Sequence, residues 1–100
     1  MPAINIIRLD GRVTFDPPVL EGAALGDRVF WRNMDPEEHH WITLKGKPDD
    51  FWFRFPLSPY APGEPPDTSR EVVLQTPASI VYVCSIHGEE GEIHFTPHAL

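Results

Sequence analysis

Proline and glycine break this chain so often that long helices have little room, with twelve prolines and seven glycines among 100 residues. A proline inside a helix removes a backbone donor and clashes with the preceding turn, costing about 3 kcal/mol. The segments between the breaks are short and rich in β-branched and aromatic residues, as in RVFWRNMD (Arg28–Asp35) and ASIVYVCS (Ala78–Ser85). Such a chain is expected to fold as short strands joined by turns. Its length suits one domain, 1–100, and its 41% apolar content can fill one core.

INIIRLDGRVTF (Ile4–Phe15) reads as one or two strands around an Asp10-Gly11 turn, with Ile4, Ile6, Val13 and Phe15 alternating toward the core. Pro17 and Pro18 suit a strand edge, and Gly26-Asp27 a tight turn. In the next strand Val29 and Trp31 share one face and Phe30 takes the other, as when both faces of a sheet are covered. His40, Ile42 and Leu44 then share a face at period two. From Lys45 to Ser69 the chain is proline-rich and irregular, with Phe51, Trp52, Phe53, Phe55 and Tyr60 close together. A long loop or a short helical insertion is expected there, its rings covering one end of the core or forming a contact surface. REVVLQTP (Arg70–Pro77), ASIVYVCS and EIHFTPH (Glu92–His98) bring the count to about seven or eight short strands, a pattern that favours an all-β sandwich and also fits a barrel.

A net charge of −7 argues against nucleic acid or an anionic membrane as partner, since both require clustered Lys and Arg. A soluble partner with a basic face fits better. No apolar run is long enough to span a bilayer, and MPAINIIRLDGRV lacks a charged region followed by a long apolar one. The expectation is therefore a cytoplasmic protein, or a mature or trimmed chain. A lone cysteine, Cys84, makes no intramolecular disulfide, so its thiol is buried, reactive or ligating.

Chemistry concentrates in VYVCSIHGEEGEIHF (Val81–Phe95), where Cys84 precedes His87 by three positions and glutamates follow. Taken alone, Cys-x-x-His reads equally well as a core cysteine beside a surface histidine. A second donor pair, His39-His40, stands more than forty positions earlier at the head of a strand. One soft thiolate and two imidazoles, completed by a weak axial donor, are the ligand set of electron-transfer copper sites. Zinc would call for four firm ligands, and no paired-cysteine knuckle is present.

The chain resembles the cupredoxins, the plastocyanin- and amicyanin-like small copper proteins, over nearly its whole length. FDPPVLEGAALGDRVFWRNMDPEEHHWIT (Phe15–Thr43) is similar to the family's N-terminal half, in which G-D-x-V-x-W-x-N-x-D leads to a histidine and an H-x-V-T-like strand. YAPGEPPDTSREVVLQTPASIVYVCSIHG (Tyr60–Gly88) is similar to the second half, which ends in Y-x-C-x-x-H. The resemblance implies a Greek-key β-sandwich that binds Cu(I)/Cu(II) through Cys84, His87 and either His40 or His39. An ungapped count from Gly26-Asp27 selects His39, whereas the HWIT match and strand alternation select His40. Asn33 resembles the asparagine that braces the cysteine loop in the family.

The family's axial methionine has no counterpart after His87, since the only methionines are Met1 and Met34. Three alignments offer Glu92, Glu90 or Glu89 in its place, and His94 shares a strand face with Glu92. A solvated glutamate turn beside three-coordinate or water-bound copper is the alternative. Nitrosocyanin, a red copper relative of the cupredoxins, implies that the fold accommodates a glutamate ligand, although its ligands do not map one for one onto these positions.

By resemblance the function is electron transfer rather than catalysis, in the periplasm or outside the cell. The partner would be a redox protein docking through a basic or apolar face, with His87 reaching solvent; oligomerisation stays open. Copper storage or delivery is a second reading, and binding of a small molecule such as nitric oxide at an open copper position is a third.

Overall fold

The computed structural model describes residues 3–75 and 79–95. Ten strands run through them: β1 (Ala3–Leu9), β2 (Arg12–Asp16), β3 (Val19–Ala23), β4 (Arg28–Asn33), β5 (Ile42–Leu44), β6 (Lys47–Phe51), β7 (Asp67–Thr68), β8 (Val72–Val73), β9 (Ile80–Cys84) and β10 (Glu90–Phe95). One sheet has the order β2-β1-β4-β7, with β8 also paired to β4, and the other the order β3-β10-β9-β5-β6. β1 pairs with β4, and β3 with β10, in parallel, so the chain crosses between sheets instead of running as a simple meander. Residues 76–78 and 96–98, where two of the expected strand runs end and another begins, lie outside the described residues.

The count exceeds the expected seven or eight because turn chemistry makes more hairpins than hydrophobic pattern alone suggests. Asp10 and Gly11 both take positive φ (51° and 77°), the backbone of a tight two-residue hairpin, and they split the first run into β1 and β2. Gly46, at φ 85°, turns the chain from β5 back into β6. The Lys45–Ser69 segment therefore holds two strands, β6 and β7, and no helix.

Alternation along the strands builds the core. Ile4 and Ile6 of β1, Phe15 of β2, and Val29 and Trp31 of β4 face Ile42 of β5, Tyr82 and Cys84 of β9, and Ile93 of β10. The Trp31 and Tyr82 rings meet edge to face at 5.2 Å, and Phe15 meets Tyr82 at 4.9 Å, the geometry that aromatic quadrupoles favour. Most of the aromatic insertion covers this core: Trp52 packs 5.1 Å from Trp31, and Phe53 is buried at 6.1 Å from the same ring. Phe51 stacks on Trp41 at 3.8 Å, which leaves Phe55 as the strongly exposed ring of the group.

Candidate metal centre

Strand register brings the candidate donors together. Ile42 of β5 pairs with Cys84 at the end of β9. His40 precedes Ile42 by two positions, so period two turns it toward the same face as Cys84. A backbone bridge between His40 and Leu57, closed by bonds of 3.1 and 2.7 Å, holds His40 at this edge. Beyond Cys84 the chain turns through Ser85–His87, and Gly88 adopts φ 88° so that its amide donates to the Cys84 carbonyl at 2.8 Å. The Cys84 amide donates to the Glu89 carbonyl at 2.8 Å, which sets Cys84 opposite Glu89 one step beyond the Val83–Glu90 pair.

His40, Cys84, His87 and Glu89 consequently offer one ligand atom each within 4.8 Å of one another. His40 Nδ1 lies 3.4 Å from Cys84 Sγ, and His87 Nδ1 lies 3.9 Å from it. His40 and Cys84 are fully buried, Glu89 is half-buried and His87 reaches the surface. Among the described residues the buried Glu89 Oε1 finds no hydrogen-bond partner, although an unpaired buried oxygen costs about 1–3 kcal/mol. An orphaned carboxylate oxygen beside a thiol and two imidazole nitrogens is what a cation would satisfy, and the mixed S, N, N, O set suits copper.

The far side of each imidazole is also held. His40 Nε2–H donates to Asp35 Oδ2 at 2.7 Å, and His87 Nε2 pairs with Glu38 Oε2. Arg8 of β1 binds both carboxylates, reaching Asp35 through Nε at 2.8 Å and Nη2 at 3.0 Å, and Glu38 through Nη2. Asn33, at the end of β4, donates to the carbonyls of Glu38 (3.0 Å) and Ser58 (2.9 Å). It thus braces the loop ahead of His40, whereas the resemblance assigned it to the cysteine loop. That loop is held instead by the Trp41 carbonyl, which accepts from the Ser85 amide at 2.8 Å and the Ser85 hydroxyl at 3.0 Å. The sequence pattern of Arg8, Asp35 and Glu38 carried no sign of this network, because its members meet only through the β1–β4 pairing.

Electrostatics follow from these contacts. Burial pushes the Cys84 thiol up, but the His40 hydrogen bond and nearby backbone amides outweigh it and bring the group down to about 7. Burial likewise pushes the His40 imidazole down, and its bonds to Cys84 and Asp35 reverse that to a net rise. For Asp35 desolvation is again the largest single influence, yet Arg8 and His40 together hold the carboxyl well below the usual range.

The remaining sequence candidates lie elsewhere. His39 is exposed. Glu90 points outward and pairs with Lys45 at 3.1 Å. Glu92 is bonded to His94 at 3.3 Å on the face of β10 opposite the buried Gly91 and Ile93. Parity was the available signal: Glu89 shares the period of Gly91 and Ile93, whereas Glu90 and Glu92 alternate between the other positions.

The strand order describes a β-sandwich with a cupredoxin-like fold. Three solved structures share that fold. Amicyanin from Paracoccus versutus aligns with a TM-score of 0.64 at 16% identity, covering 94% of this chain and 79% of its own. A mutant plastocyanin of fern, determined oxidised and reduced, gives 0.61 at 15%, covering 94% and 99%. A pseudoazurin from Sinorhizobium meliloti gives 0.55 at 22%, covering 98% and 75%. No family model matches the sequence, and no curated protein matches it.

Proposed function

We propose that this chain binds one copper ion through Cys84 Sγ, His40 Nδ1 and His87 Nδ1, with Glu89 as the fourth donor, and that it carries single electrons between proteins. The observation that carries this reading is the convergence of those four side chains within 4.8 Å at one end of the sandwich. Copper in such a site supplies a one-electron couple between Cu(II) and Cu(I). The chain's own part is to hold the donors still. Cys84 and His40 are buried, and backbone bonds from Trp41, Leu57 and Glu89 fix the segments that carry them. Donors held this way need little rearrangement between oxidation states, which favours transfer over catalysis. His87 and the exposed Ile86 beside it give the centre its route to the surface.

Glu89 in place of a thioether sets the character of the site. A carboxylate is harder and charged, so it favours Cu(II), lowers the reduction potential and weakens a blue thiolate band. A carboxylate already near the fourth position also argues against the readings that need an open copper, whether for rapid delivery or for a small ligand. Among the described residues no helix is long and apolar enough to cross a membrane. The cellular setting we favour is periplasmic or extracellular, with a redox protein as partner.

The test is titration of the purified protein with Cu(II), followed by absorption and electron-spin spectra, beside Cys84→Ser. We expect one equivalent to bind, a charge-transfer band that is not purely blue, and reversible one-electron reduction. Cys84→Ser loses the band. Equal colour in both proteins would remove the reading, and rapid loss of Cu(I) to a weak chelator would move it to copper delivery.

A further inference from the structure

Both imidazoles carry a carboxylate behind them, and one guanidinium joins the two. Asp35 Oδ2 accepts from His40 Nε2 at 2.7 Å, and Glu38 Oε2 contacts His87 Nε2. Arg8 reaches Asp35 Oδ1 at 2.8 Å and also binds Glu38. A carboxylate only accepts, so each Nε2 bears a proton, and Nδ1 is the ring nitrogen that each imidazole turns toward the sulfur. The His40 arm is fully buried. The His87 arm is different: its histidine belongs to a surface turn with 27% of the side chain exposed, and that ring would be free to rotate without Glu38.

We infer that Glu38 is a positioning residue of the metal centre, anchoring His87 from its outer edge, while Arg8 couples that anchor to the Asp35–His40 pair. The inference rests on the copper reading for its redox consequence but not for its geometry, which protein contacts alone supply. Carboxylates behind both imidazoles make the ligands more basic and hold them in place, so they stabilise the more highly charged ion. The arrangement deepens the bias toward Cu(II) already expected from Glu89.

The experiment measures two things on the same variants. Imidazole nitrogen NMR of the metal-free protein at one fixed pH reads the tautomer and mobility of His87, and voltammetry of the protein loaded with Cu(II) alone reads the potential. Glu38→Ala is expected to convert His87 from a single Nε2–H tautomer to a mixture and to raise the potential. Glu38→Gln keeps an acceptor oxygen without the charge, so it should retain the tautomer and raise the potential by less. Glu37→Ala removes the same charge from the neighbouring position, where the carboxylate also pairs with Arg8 at 3.0 Å but touches neither imidazole, and should leave the tautomer as in the parent. A parent-like His87 tautomer and potential in Glu38→Ala would overturn the inference, as would an equal rise in potential with Glu37→Ala. Failure of the parent protein to bind copper would overturn the copper reading alone, because the NMR arm decides the positioning role without metal.

Discussion

With His40 Nδ1 only 3.4 Å from its sulfur, Cys84 ionises more easily than a buried thiol otherwise would. In the metal-free protein its thiolate absorbance should rise through about pH 7 instead of near the ordinary 9.0. His40→Asn should move that rise upward, because burial then acts with less opposition; an unchanged midpoint would show that His40 is not the cause. Asp35 supplies a second pH dependence. Its carboxyl titrates below the ordinary 3.8 in the folded protein, so the stability it contributes is complete above that value and is lost as the pH falls toward the depressed folded one. Urea unfolding of the metal-free protein should weaken below about pH 4, and Asp35→Asn should be less stable at neutral pH with a shallower acid decline. Equal acid slopes would assign the loss to other carboxylates. Glu89→Met exchanges a hard donor for a soft one, so the copper-loaded variant should be bluer and have a higher potential than its parent.

Between β9 and β10 one position leaves no room for a side chain. The Tyr82 ring lies across Gly91, and a Cβ there would stand 2.2 Å from Tyr82 Oη and 2.3 Å from Cζ. Gly91→Ala should therefore destabilise the protein by about 1–3 kcal/mol, read from the urea midpoint. Tyr82→Phe should restore little of this, because the ring carbon remains in the way. Full recovery would place the clash at the hydroxyl alone. The same pair of strands shows how far sequence reaches. The alternation of Val29 with Trp31, and of His40 with Ile42, was readable because burial imposes a period on each strand. Parity with Gly91 and Ile93 separates Glu89 from Glu90 and Glu92, but that Glu89 meets Cys84 depended on register with β9, which the turn at Ser85–Gly88 sets and composition does not. β6 was hidden because its segment is proline-rich and lacks strand alternation, and β7 because its partner, β4, is distant in sequence. The Arg8 network was hidden for the same reason.

At the scale of the whole molecule, a charge of −7 on 100 residues should steer encounters. Reduction of the oxidised protein by a cationic inorganic complex should be faster than by an anionic one at low salt, and the difference should shrink as the Debye length falls from about 30 Å at 0.01 M to about 3 Å at 1 M salt. Rates independent of salt would mean that the acidic surface lies away from the electron's route. A single ion would gather groups that lie forty-four positions apart in the chain. Copper K-edge X-ray absorption on the protein carrying one equivalent of Cu(II) tests this most directly. One sulfur scatterer with two imidazoles is expected in the first coordination sphere, with loss of the sulfur in Cys84→Ser and the imidazoles kept. A first sphere made only of nitrogen and oxygen in the parent protein would contradict it.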